Sequence, residues 1–414
     1  MQHTQHRGAL LLTTLALLTP LLPAEDWTRF RGPNGTGIVH NQKLPVKWTK
    51  ANVLWKAKTF GVGKSSPIVC KGKLFFQSAT KNGKARIVIC MDAKTGKMVW
   101  KKELTGSRAH THPLNTLASS TLAADGERVY AAVWDGSKVS IYAWTLDGTL
   151  EWSKPLGRFR SEHGPASSPM VHEGKVILAF DQDKSSSVIA LEAKTGKQLW
   201  QTPRKAFRAS YSVPFLLEKS NQVELIVASS AGITAYDPND GKVIRDYVWT
   251  HPGKVLRTVA SPIYAEGLIF AHGGNGGGDR HLIAVKAEGK GDITEGGLVW
   301  EAKKSFPYVP TMLAHGKYVF SVHDNGIAHC HEAATGKEIW EKRLSGKVSA
   351  SPVMVDGKIY VVTERGTVHV FASTTKFKEL AKNAIDDSVF ATPAVANGCM
   401  FIRGDEHVFC IGTK

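Results

Sequence analysis

Basic and aromatic residues recur in segments that precede short, proline-led apolar stretches. Three arginines stand 9, 6 and 5 residues before such a proline, and one histidine and two tyrosines lie in segments of the same kind. The set comprises Arg160, His163, Arg208, Tyr211, Arg257 and Tyr308. Guanidinium groups bind carboxylates and phosphates through paired hydrogen bonds. The set therefore predicts a site for an anionic or sugar-like ligand, and the competing interpretation is that the arginines pair with Glu162 and neighbouring loops.

Histidines raise the question of a metal site. His329 and His331 alternate along a predicted strand and so share one face, and His110 and His112 lie in a predicted loop. No carboxylate or third ligand stands at a recognisable spacing from either pair. We therefore predict surface or hydrogen-bonded histidines, no metal site and no catalytic residue. The glycine-rich segment 272–281 lacks the Lys-Ser/Thr of a phosphate-binding loop and is interpreted as a hairpin loop.

Five cysteines in 414 residues are too few for a disulfide scaffold. Cys90, Cys330 and Cys410 occupy a position that holds alanine in other repeats, which predicts small, buried and inert thiols. Cys399 and Cys410 could face each other across a tight hairpin, and an exported compartment would permit a disulfide between them. Both alternatives, two free thiols or one disulfide, are retained at this point.

A repeat of about 40–50 residues organises the chain. Each unit begins with a small residue beside proline, followed by an apolar stretch, a turn and a second stretch, as in the segment 65–78. Thr121 replaces the proline in one unit. The eight markers are Pro67, Thr121, Pro169, Pro214, Pro262, Pro310, Pro352 and Pro393.

A second pattern lies between the markers. The segments 91–100, 191–200 and 331–340 share an acidic residue, a Thr-Gly pair and a tryptophan at fixed offsets. The Thr-Gly pair predicts a tight turn in which glycine adopts positive φ. The tryptophan then begins an outer strand and docks neighbouring units together. The predicted docking residues are Trp55, Asp92, Gly96, Trp100, Gly196, Trp200, Gly336 and Trp340.

Each unit is interpreted as four short strands, and a lone four-stranded sheet cannot bury both of its faces. Eight such sheets around an axis can, so we predict an all-β, eight-bladed β-propeller. The last unit ends without its outer strand, whereas the segment 52–60 precedes the first unit with Trp55 in the docking position. This N-terminal strand is predicted to complete the last blade and close the ring. The expected organisation is a signal peptide over 1–24, an extension over 25–51 and one propeller over 52–414.

The leader and the charge bear on location and partners. The apolar run 9–22 is shorter than a membrane span and has the form of a secretory signal peptide. We therefore expect a protein that is periplasmic or secreted. We also expect it to be a monomer. No later segment is apolar enough to cross a membrane. The chain has 53 Lys+Arg against 36 Asp+Glu, a net charge of +17. Without a nucleic-acid motif, this charge favours an anionic envelope polymer or lipid headgroups over nucleic acid, and a soluble basic surface is the default interpretation.

The small-x-acid-x-x-Thr-Gly-x-x-x-Trp pattern, best kept over 90–100 and 330–340, resembles that of the PQQ-repeat β-propellers. The segments 26–38, 289–300 and 377–412 look like an exported bacterial subfamily that is similar to the BamB-type outer-membrane assembly factor. The resemblance covers essentially all of residues 26–414. It is specific for the fold, because the repeated tryptophan and glycine are docking residues and perform no chemistry.

The resemblance implies two classes of function. The first, which we favour, is a non-catalytic scaffold without a cofactor that binds an outer-membrane or other envelope protein, or an anionic envelope polymer. The alternative is an alcohol or sugar dehydrogenase that uses PQQ with calcium. That class is often marked by an adjacent cysteine pair, which this chain lacks. The side chains available to such a calcium site near the mouth are Asn115, Glu162, Asp386 and Asp387.

Overall fold

The computed structural model describes residues 26–220, 222–250 and 255–413, so the predicted signal peptide lies outside the described residues. Within these ranges the chain forms eight antiparallel sheets of four principal strands each. The sheets follow one another around a central channel as the blades of a propeller. The predicted eight-bladed, all-β architecture is confirmed.

The strands follow the chain from the innermost to the outermost position of each blade. Two short strands come before the first blade: β1 (Ile38–Val39) and β2 (Val53–Lys58). Blade 1 contains β3 (Ile68–Cys70), β4 (Lys73–Ala79), β5 (Ala85–Asp92) and β6 (Met98–Thr105). Blade 2 contains β7 (Ala123–Ala124), β8 (Arg128–Trp134), β9 (Lys138–Thr145) and β10 (Leu150–Arg158). Blade 3 contains β11 (Met170–His172), β12 (Lys175–Phe180), β13 (Ser186–Glu192) and β14 (Gln198–Arg204). Blade 4 contains β15 (Phe215–Lys219), β16 (Gln222–Ser229), β17 (Gly232–Tyr236) and β18 (Val243–Val248).

The second half of the ring repeats this order. Blade 5 contains β19 (Ile263–Ala265), β20 (Leu268–Gly274), β21 (Arg280–Lys286) and, after the short β22 (Gly291–Asp292) and one helical turn α1 (Thr294–Gly297), β23 (Leu298–Ala302). Blade 6 contains β24 (Leu313–His315), β25 (Tyr318–Val322), β26 (Ile327–Glu332) and β27 (Glu338–Arg343). Blade 7 contains β28 (Val353–Val355), β29 (Lys358–Val362), β30 (Thr367–Ala372) and β31 (Glu379–Ala384). Blade 8 contains β32 (Ala394–Ala396), β33 (Cys399–Arg403) and β34 (His407–Ile411). Short 3-10 turns cover Pro33–Gly35 and Lys50–Asn52.

Burial along each blade follows from its position in the ring. The second and third strands of blade 1, β4 and β5, are buried on both faces because a neighbouring blade covers each side. The outer strand β6 alternates between partly buried and exposed residues because it lies at the perimeter. Continuous apolar runs therefore mark the middle strands, and alternation marks the outer ones. The apolar core consists of layers between adjacent blades.

Tryptophan side chains from the outer strands join adjacent blades. The indole Nε1 of Trp100 donates a hydrogen bond to the carbonyl oxygen of Leu146 in blade 2, over 3.0 Å. The ring of Trp152 lies against Gly196, which has a φ of 72°. Within the described residues the same contact to a backbone carbonyl recurs in six pairs: Trp55–Ala93, Trp100–Leu146, Trp152–Ala193, Trp200–Pro238, Trp300–Ala333 and Trp340–Thr374.

The acidic residue of the repeat shapes the turn that receives the tryptophan. The Asp92 carboxylate accepts hydrogen bonds from both the amide and the hydroxyl of Thr95, each over 2.7 Å. The Thr95 hydroxyl contributes most to lowering the pKa of Asp92. Gly96 follows with a φ of 68° and lies against the ring of Trp55. The acid, the threonine and the glycine thus act as one unit that presents a flat surface to the incoming indole.

Two blades lack the outer tryptophan in the part of the chain that the structure describes. Blade 4 has Arg245 at that position, where it forms a buried two-point ion pair with Glu224 of the same blade over 2.9 and 2.5 Å. Blade 7 has Ala381 there. Trp48, from the segment before the ring, packs in the same buried cluster as Ala381 and donates to the carbonyl oxygen of Ala384 over 3.4 Å. A tryptophan from a distant part of the chain therefore fills the space that the repeat leaves.

Hydroxyl side chains link the innermost strands around the channel. The amide of Ser66 donates to the hydroxyl of Thr121, and the amide of Thr392 donates to the hydroxyl of Ser66, over 3.2 and 3.0 Å. The repeat pattern aligns Thr121 with the marker prolines. Its hydrogen bonds instead show that Thr121 is equivalent to Ser66, the residue before the marker proline, so Leu122 occupies the position of the proline. The remaining amide-to-hydroxyl links in the described residues are Thr121–Ser168, Val213–Ser261, Ser261–Thr311, Thr311–Ser351 and Ser351–Thr392.

The ring closes as predicted. The N-terminal strand β2 pairs with β34 in antiparallel register, with Trp55 opposite Cys410, and so becomes the outer strand of blade 8. Arg403 of blade 8 is fully buried and donates to the carbonyl oxygens of Ser65 and Gln77 in blade 1, over 2.7 and 2.8 Å. No edge remains between the first and last blades in the part of the chain that the structure describes.

All five cysteines lie in the described residues and are free thiols. Cys90, Cys330 and Cys410 are buried, as their alternation with alanine predicts. Burial raises the pKa of Cys90 and of Cys330 to about 12, which keeps both thiols protonated and unreactive at neutral pH. The thiols of Cys399 and Cys410 are hydrogen-bonded neighbours, so the hairpin does place them together, in the reduced form.

The docking contact can be tested with two glycines of blade 3. Gly196 and Gly174 have nearly equal φ values of 72° and 71°, but a Cβ on Gly196 would lie 2.5 Å from Trp152, whereas a Cβ on Gly174 would meet nothing within 4 Å. We expect Gly174→Ala to cost roughly 1 kcal/mol of stability through backbone strain. Gly196→Ala adds an overpacking cost of roughly 1–3 kcal/mol. Urea unfolding measures both, and equal losses would contradict the docking role.

Candidate binding site at the channel mouth

The segment before the ring crosses the channel. Trp27 pairs with Val69 of blade 1, and the Asn34 amide exchanges hydrogen bonds with the backbone of Leu216 in blade 4, over 2.7 and 2.8 Å. Strand β1 then runs parallel to β28 of blade 7. Because these contacts lie on well-separated blades, the segment 26–39 spans the ring and forms a floor within the channel.

Two arginines anchor this floor. Arg31 is fully buried and donates to carbonyl oxygens of blades 6 and 7, including those of Met312 over 2.8 Å and Pro352 over 3.0 Å. Arg29 donates to the carbonyl oxygen of Pro214 in blade 4. Burial lowers the pKa of Arg29 to about 10 and that of Arg31 to about 9, so both remain charged at neutral pH. Sequence reasoning did not assign these residues a role, because nothing in the segment shows that its arginines meet carbonyls from distant blades.

A cavity of about 520 Å³ lies above the floor and opens at the channel mouth. Phe30 of the floor lines it, together with hydroxyl residues of the inner-strand ring such as Ser66 and Thr311. The wall is formed by loops that connect each outer strand to the next inner strand. Side chains of these loops and of the adjoining hairpins that line the cavity are Lys64, His112, Asn115, His163, Tyr211, Arg257, Arg280, Tyr308, Asp324, Lys347, Glu364 and Phe390.

The structure brings together four of the six predicted ligand-binding residues. His163, Tyr211, Arg257 and Tyr308 all line the cavity. The other two lie outside it. Arg160 is exposed to solvent, and Arg208 is half-buried and pairs with Glu162 over 3.0 Å. The set predicted from the sequence is therefore divided between the cavity wall and its outer rim.

Arg257 is the most enclosed cation of the wall, with 2% of its side chain exposed. Its Nη1 donates to the carbonyl oxygen of Ala209 over 3.3 Å, and its Nη2 lies 3.4 Å from the Glu162 carboxylate. Asp183 lies 3.9 Å away. The pairing with Glu162 that the competing interpretation proposes is thus present, and it orients Arg257 while the guanidinium still borders the cavity.

Two histidines stand side by side at the mouth. The rings of His112 and His163 lie 4.6 Å apart, centre to centre. Burial, reinforced by the nearby charge of Arg257, lowers the pKa of His163, so its imidazole is neutral at pH 7. The carbonyl oxygen of His163 accepts a hydrogen bond from the Asn115 amide over 2.7 Å. His163 therefore offers hydrogen-bonding groups and an aromatic face, without positive charge.

Asp324 organises the opposite wall. Its carboxylate accepts hydrogen bonds from the amides of Tyr308 and Val309, over 2.7 and 3.0 Å, and lies 3.4 Å from Arg280. The Arg280 guanidinium lies over the ring of Tyr308, 5.4 Å from its centre. Burial raises the pKa of Tyr308, so its hydroxyl remains a hydrogen-bond donor. Sequence reasoning missed Asp324, although the Asp-Asn-Gly turn at 324–326 was a signal for a hairpin loop.

Two carboxylates line the cavity, and both accept hydrogen bonds from other groups of the protein. Of its lining carboxylates, Asp324 holds the loop of Tyr308, and Glu364 accepts a hydrogen bond from the Ser349 hydroxyl over 2.6 Å. Asp387 likewise accepts the amides of Glu406 and His407. In the described part of the chain, three metal-ligating side chains converge at one place, which lies in blade 6 away from this cavity.

Among the described residues, no helix is both long enough and apolar enough to span a membrane.

Comparison with known proteins agrees with this architecture. The sequence matches the model of a family described as outer membrane protein assembly factor BamB, over residues 45–141, 84–292 and 291–379. A relative of that name from Yersinia pestis is 22% identical over 338 residues, which are 77% of this chain and 77% of the relative.

Solved structures show the same fold at low sequence identity. BamB from Moraxella catarrhalis superimposes with a TM-score of 0.58 and 15% identity, over 87% of this chain and 98% of that one. A quinohemoprotein alcohol dehydrogenase from Comamonas testosteroni superimposes with a TM-score of 0.66 and 14% identity, over 94% of this chain and 81% of that one. Since proteins with different activities share this fold, these superpositions bear on architecture alone.

Removing the Asp324 carboxylate tests how the wall is held. We expect Asp324→Ala to lower stability by roughly 1–3 kcal/mol, because the partly buried amides of Tyr308 and Val309 lose their acceptors. The loop 303–310 becomes more sensitive to limited proteolysis. Asn325→Ala, at the exposed neighbouring position, is the control and should change neither property. Unchanged cleavage and melting in Asp324→Ala would show that the loop does not depend on this carboxylate.

Proposed function

Because the chain belongs to the family described as outer membrane protein assembly factor BamB, we propose that it is an exported, non-catalytic propeller that binds an envelope protein during outer-membrane protein assembly. The observation that carries the proposal is the extent of the match. It runs from residue 45 to residue 379 and so includes most of the closed ring. The expected location is the periplasm, where such an assembly factor would meet its partner.

The mouth face has features of a docking surface. Leu114 and Phe207 lie on loops that connect outer strands to the next inner strands, and their side chains are 51% and 54% exposed. Phe60, on the equivalent loop before blade 1, is also exposed. Large apolar side chains on a polar rim are the kind that anchor protein interfaces. We assign the partner-binding face to this rim.

Charge supports the choice of face and partner. The rim includes the exposed Arg160 and the half-buried Arg208, which pairs with Glu162, in a chain of net charge +17. A partner with an acidic surface would be attracted to such a rim and oriented by it. An anionic envelope polymer would be recognised by the same groups and is the second partner class predicted from the sequence.

The cavity beneath the rim supports a small-ligand role for the same face. Arg257 offers a charged donor, Tyr211 and Tyr308 offer hydroxyls, and Phe30 provides an apolar floor. Such a mixture of an apolar lining with a few polar groups suits a carboxylate side chain of the partner or a sugar-like group. We therefore propose that the cavity binds an anionic or sugar-like group.

Replacing the rim anchors tests the docking face. We expect Leu114→Asp combined with Phe207→Asp to abolish partner binding, since both changes place charge where an interface would exclude water. In a host strain that lacks the native protein, the double variant should also fail to restore the level of folded outer-membrane proteins. Photo-crosslinkers at residues 114 and 207 should identify a component of the assembly machinery by mass spectrometry.

The matched control is Leu199→Asp, on the outer strand of blade 3, where the side chain is 46% exposed. This variant should bind and complement like the unmodified protein. Full complementation by the double rim variant would exclude the mouth face as the docking surface. Failure of both variants would indicate a general effect of added charge rather than a specific interface.

The dehydrogenase alternative has a direct test. We propose that the chain acts without PQQ, because the cavity carboxylates are already used within the protein. Incubating the purified protein with PQQ and Ca²⁺ should produce neither saturable binding nor alcohol-dependent dye reduction. Tight binding together with turnover would replace the scaffold proposal by the enzymatic one.

A further inference from the structure

We propose that His329, His331 and Glu338 form a binding site for a divalent transition-metal ion, with Zn²⁺ as the best-suited ion. The residues lie on the adjacent strands β26 and β27 of blade 6, outside the cavity at the channel mouth. The site is independent of the proposed function in outer-membrane assembly, and its test does not need the partner.

Strand pairing creates the cluster. His329 and His331 alternate along β26, so both imidazoles lie on the same face of the blade. In the register with β27, His331 is opposite Glu338 and His329 is opposite Glu341. The chain reverses at the Thr-Gly turn between the two strands, which returns a carboxylate to the histidine pair. The third ligand therefore comes from the neighbouring strand, at a spacing that forms no recognisable sequence motif.

The donor atoms are close enough to share one ion. Nδ1 of His329 lies 3.1 Å from Oε2 of Glu338, and Nε2 of His331 lies 3.8 Å from the same oxygen. All three ligand atoms lie within 4.8 Å of one another. Zinc–ligand bonds of about 2.0–2.1 Å in a tetrahedral arrangement separate ligand atoms by about 3.4 Å. The two measured separations bracket this value, so small side-chain rotations would complete the geometry.

Two polar atoms near the histidine pair are buried. Nδ1 of His331 is buried and has no hydrogen-bond partner among the described residues. The hydroxyl of Ser321, which lies opposite His329 on β25, is also buried and unpartnered there. The other ring nitrogen of His331, Nε2, is the one that lies 3.8 Å from the Glu338 carboxylate.

The site is closed on one side and open on the other. The His331 ring stacks on Phe306 at 4.7 Å, and only 2% of the His329 side chain is exposed. Glu338 is 43% exposed and provides a path from solvent. Glu341, 4.0 Å from Nδ1 of His329, or a water molecule could occupy the fourth position. Two imidazoles with one carboxylate suit Zn²⁺ better than Ca²⁺ or Mg²⁺, which prefer oxygen ligands.

Blade 7 contains a natural control. His369 pairs with Glu379 over 2.9 Å at the positions equivalent to His329 and Glu338. Phe371 stands there in place of His331. The other nitrogen of His369 is hydrogen-bonded to the Ser345 hydroxyl over 3.1 Å. In blade 7, one histidine and one glutamate link the outer strand to its neighbour by a hydrogen bond. Blade 6 differs in its second histidine, which provides the additional ligand for a metal ion.

The test uses the full chain after removal of metal with EDTA. Calorimetric titration with Zn²⁺ should show saturable binding with one-to-one stoichiometry. Co²⁺ should produce the visible absorption of a tetrahedral complex. His331→Phe, which copies blade 7, should weaken Zn²⁺ binding by at least the roughly 10–100-fold seen on loss of an outer-shell partner. Glu338→Gln, at a more exposed position, provides a second variant should His331→Phe fail to fold.

His369→Gln is the matched control and should bind Zn²⁺ like the unmodified protein. Thermal melting should rise on addition of Zn²⁺ for the unmodified protein and for His369→Gln, but not for the blade 6 variants. Absence of saturable Zn²⁺ binding, or equal binding by folded His331→Phe and the unmodified protein, would overturn the proposal. Neither result would bear on partner binding at the rim.

Discussion

Ring closure is the constraint on which the rest of this structure depends. A four-stranded blade buries its faces only against its neighbours, so each blade needs one on either side. The pairing of β2 with β34 supplies the last outer strand, and Arg403 ties blade 8 to the backbone of blade 1. The hydroxyl of Ser66 receives the amide of Thr392 at the same junction. Without this joint, blades 1 and 8 would each expose an apolar face.

The segment that precedes the closing strand shapes the candidate site. Residues 26–52 contact blades 1, 4 and 7 before the first blade begins. This segment has two structural roles. Residues 26–39 form the channel floor. Trp48 packs against blade 7, which lacks the outer tryptophan. The channel therefore becomes a cavity with a mouth, and the loops on that side carry both the polar wall and the exposed apolar rim.

The repeat made the blades predictable, and it made part of the site predictable too. Residues at equivalent places in successive units must lie at equivalent places around the axis, which is why Arg257, His163, Tyr211 and Tyr308 do converge. The same reasoning failed for Arg160 and Arg208, which stand 9 and 6 residues before their marker prolines and lie outside the cavity. Asp324 and Phe30 were not found, since one belongs to a different loop of the blade and the other comes from outside the repeat.

The sequence by itself determines the periodic part of the molecule: the number of blades, the strand order, the docking tryptophans and the closing strand. These depend on local turn chemistry and on burial patterns that recur in every unit. Only the tertiary structure decides where the non-repeating residues meet. Arg31 reaches the carbonyls of blades 6 and 7, and Glu338 returns beside His329 and His331. Such contacts depend on strand register and on the path of one long segment, and neither leaves a periodic trace in the order of residues.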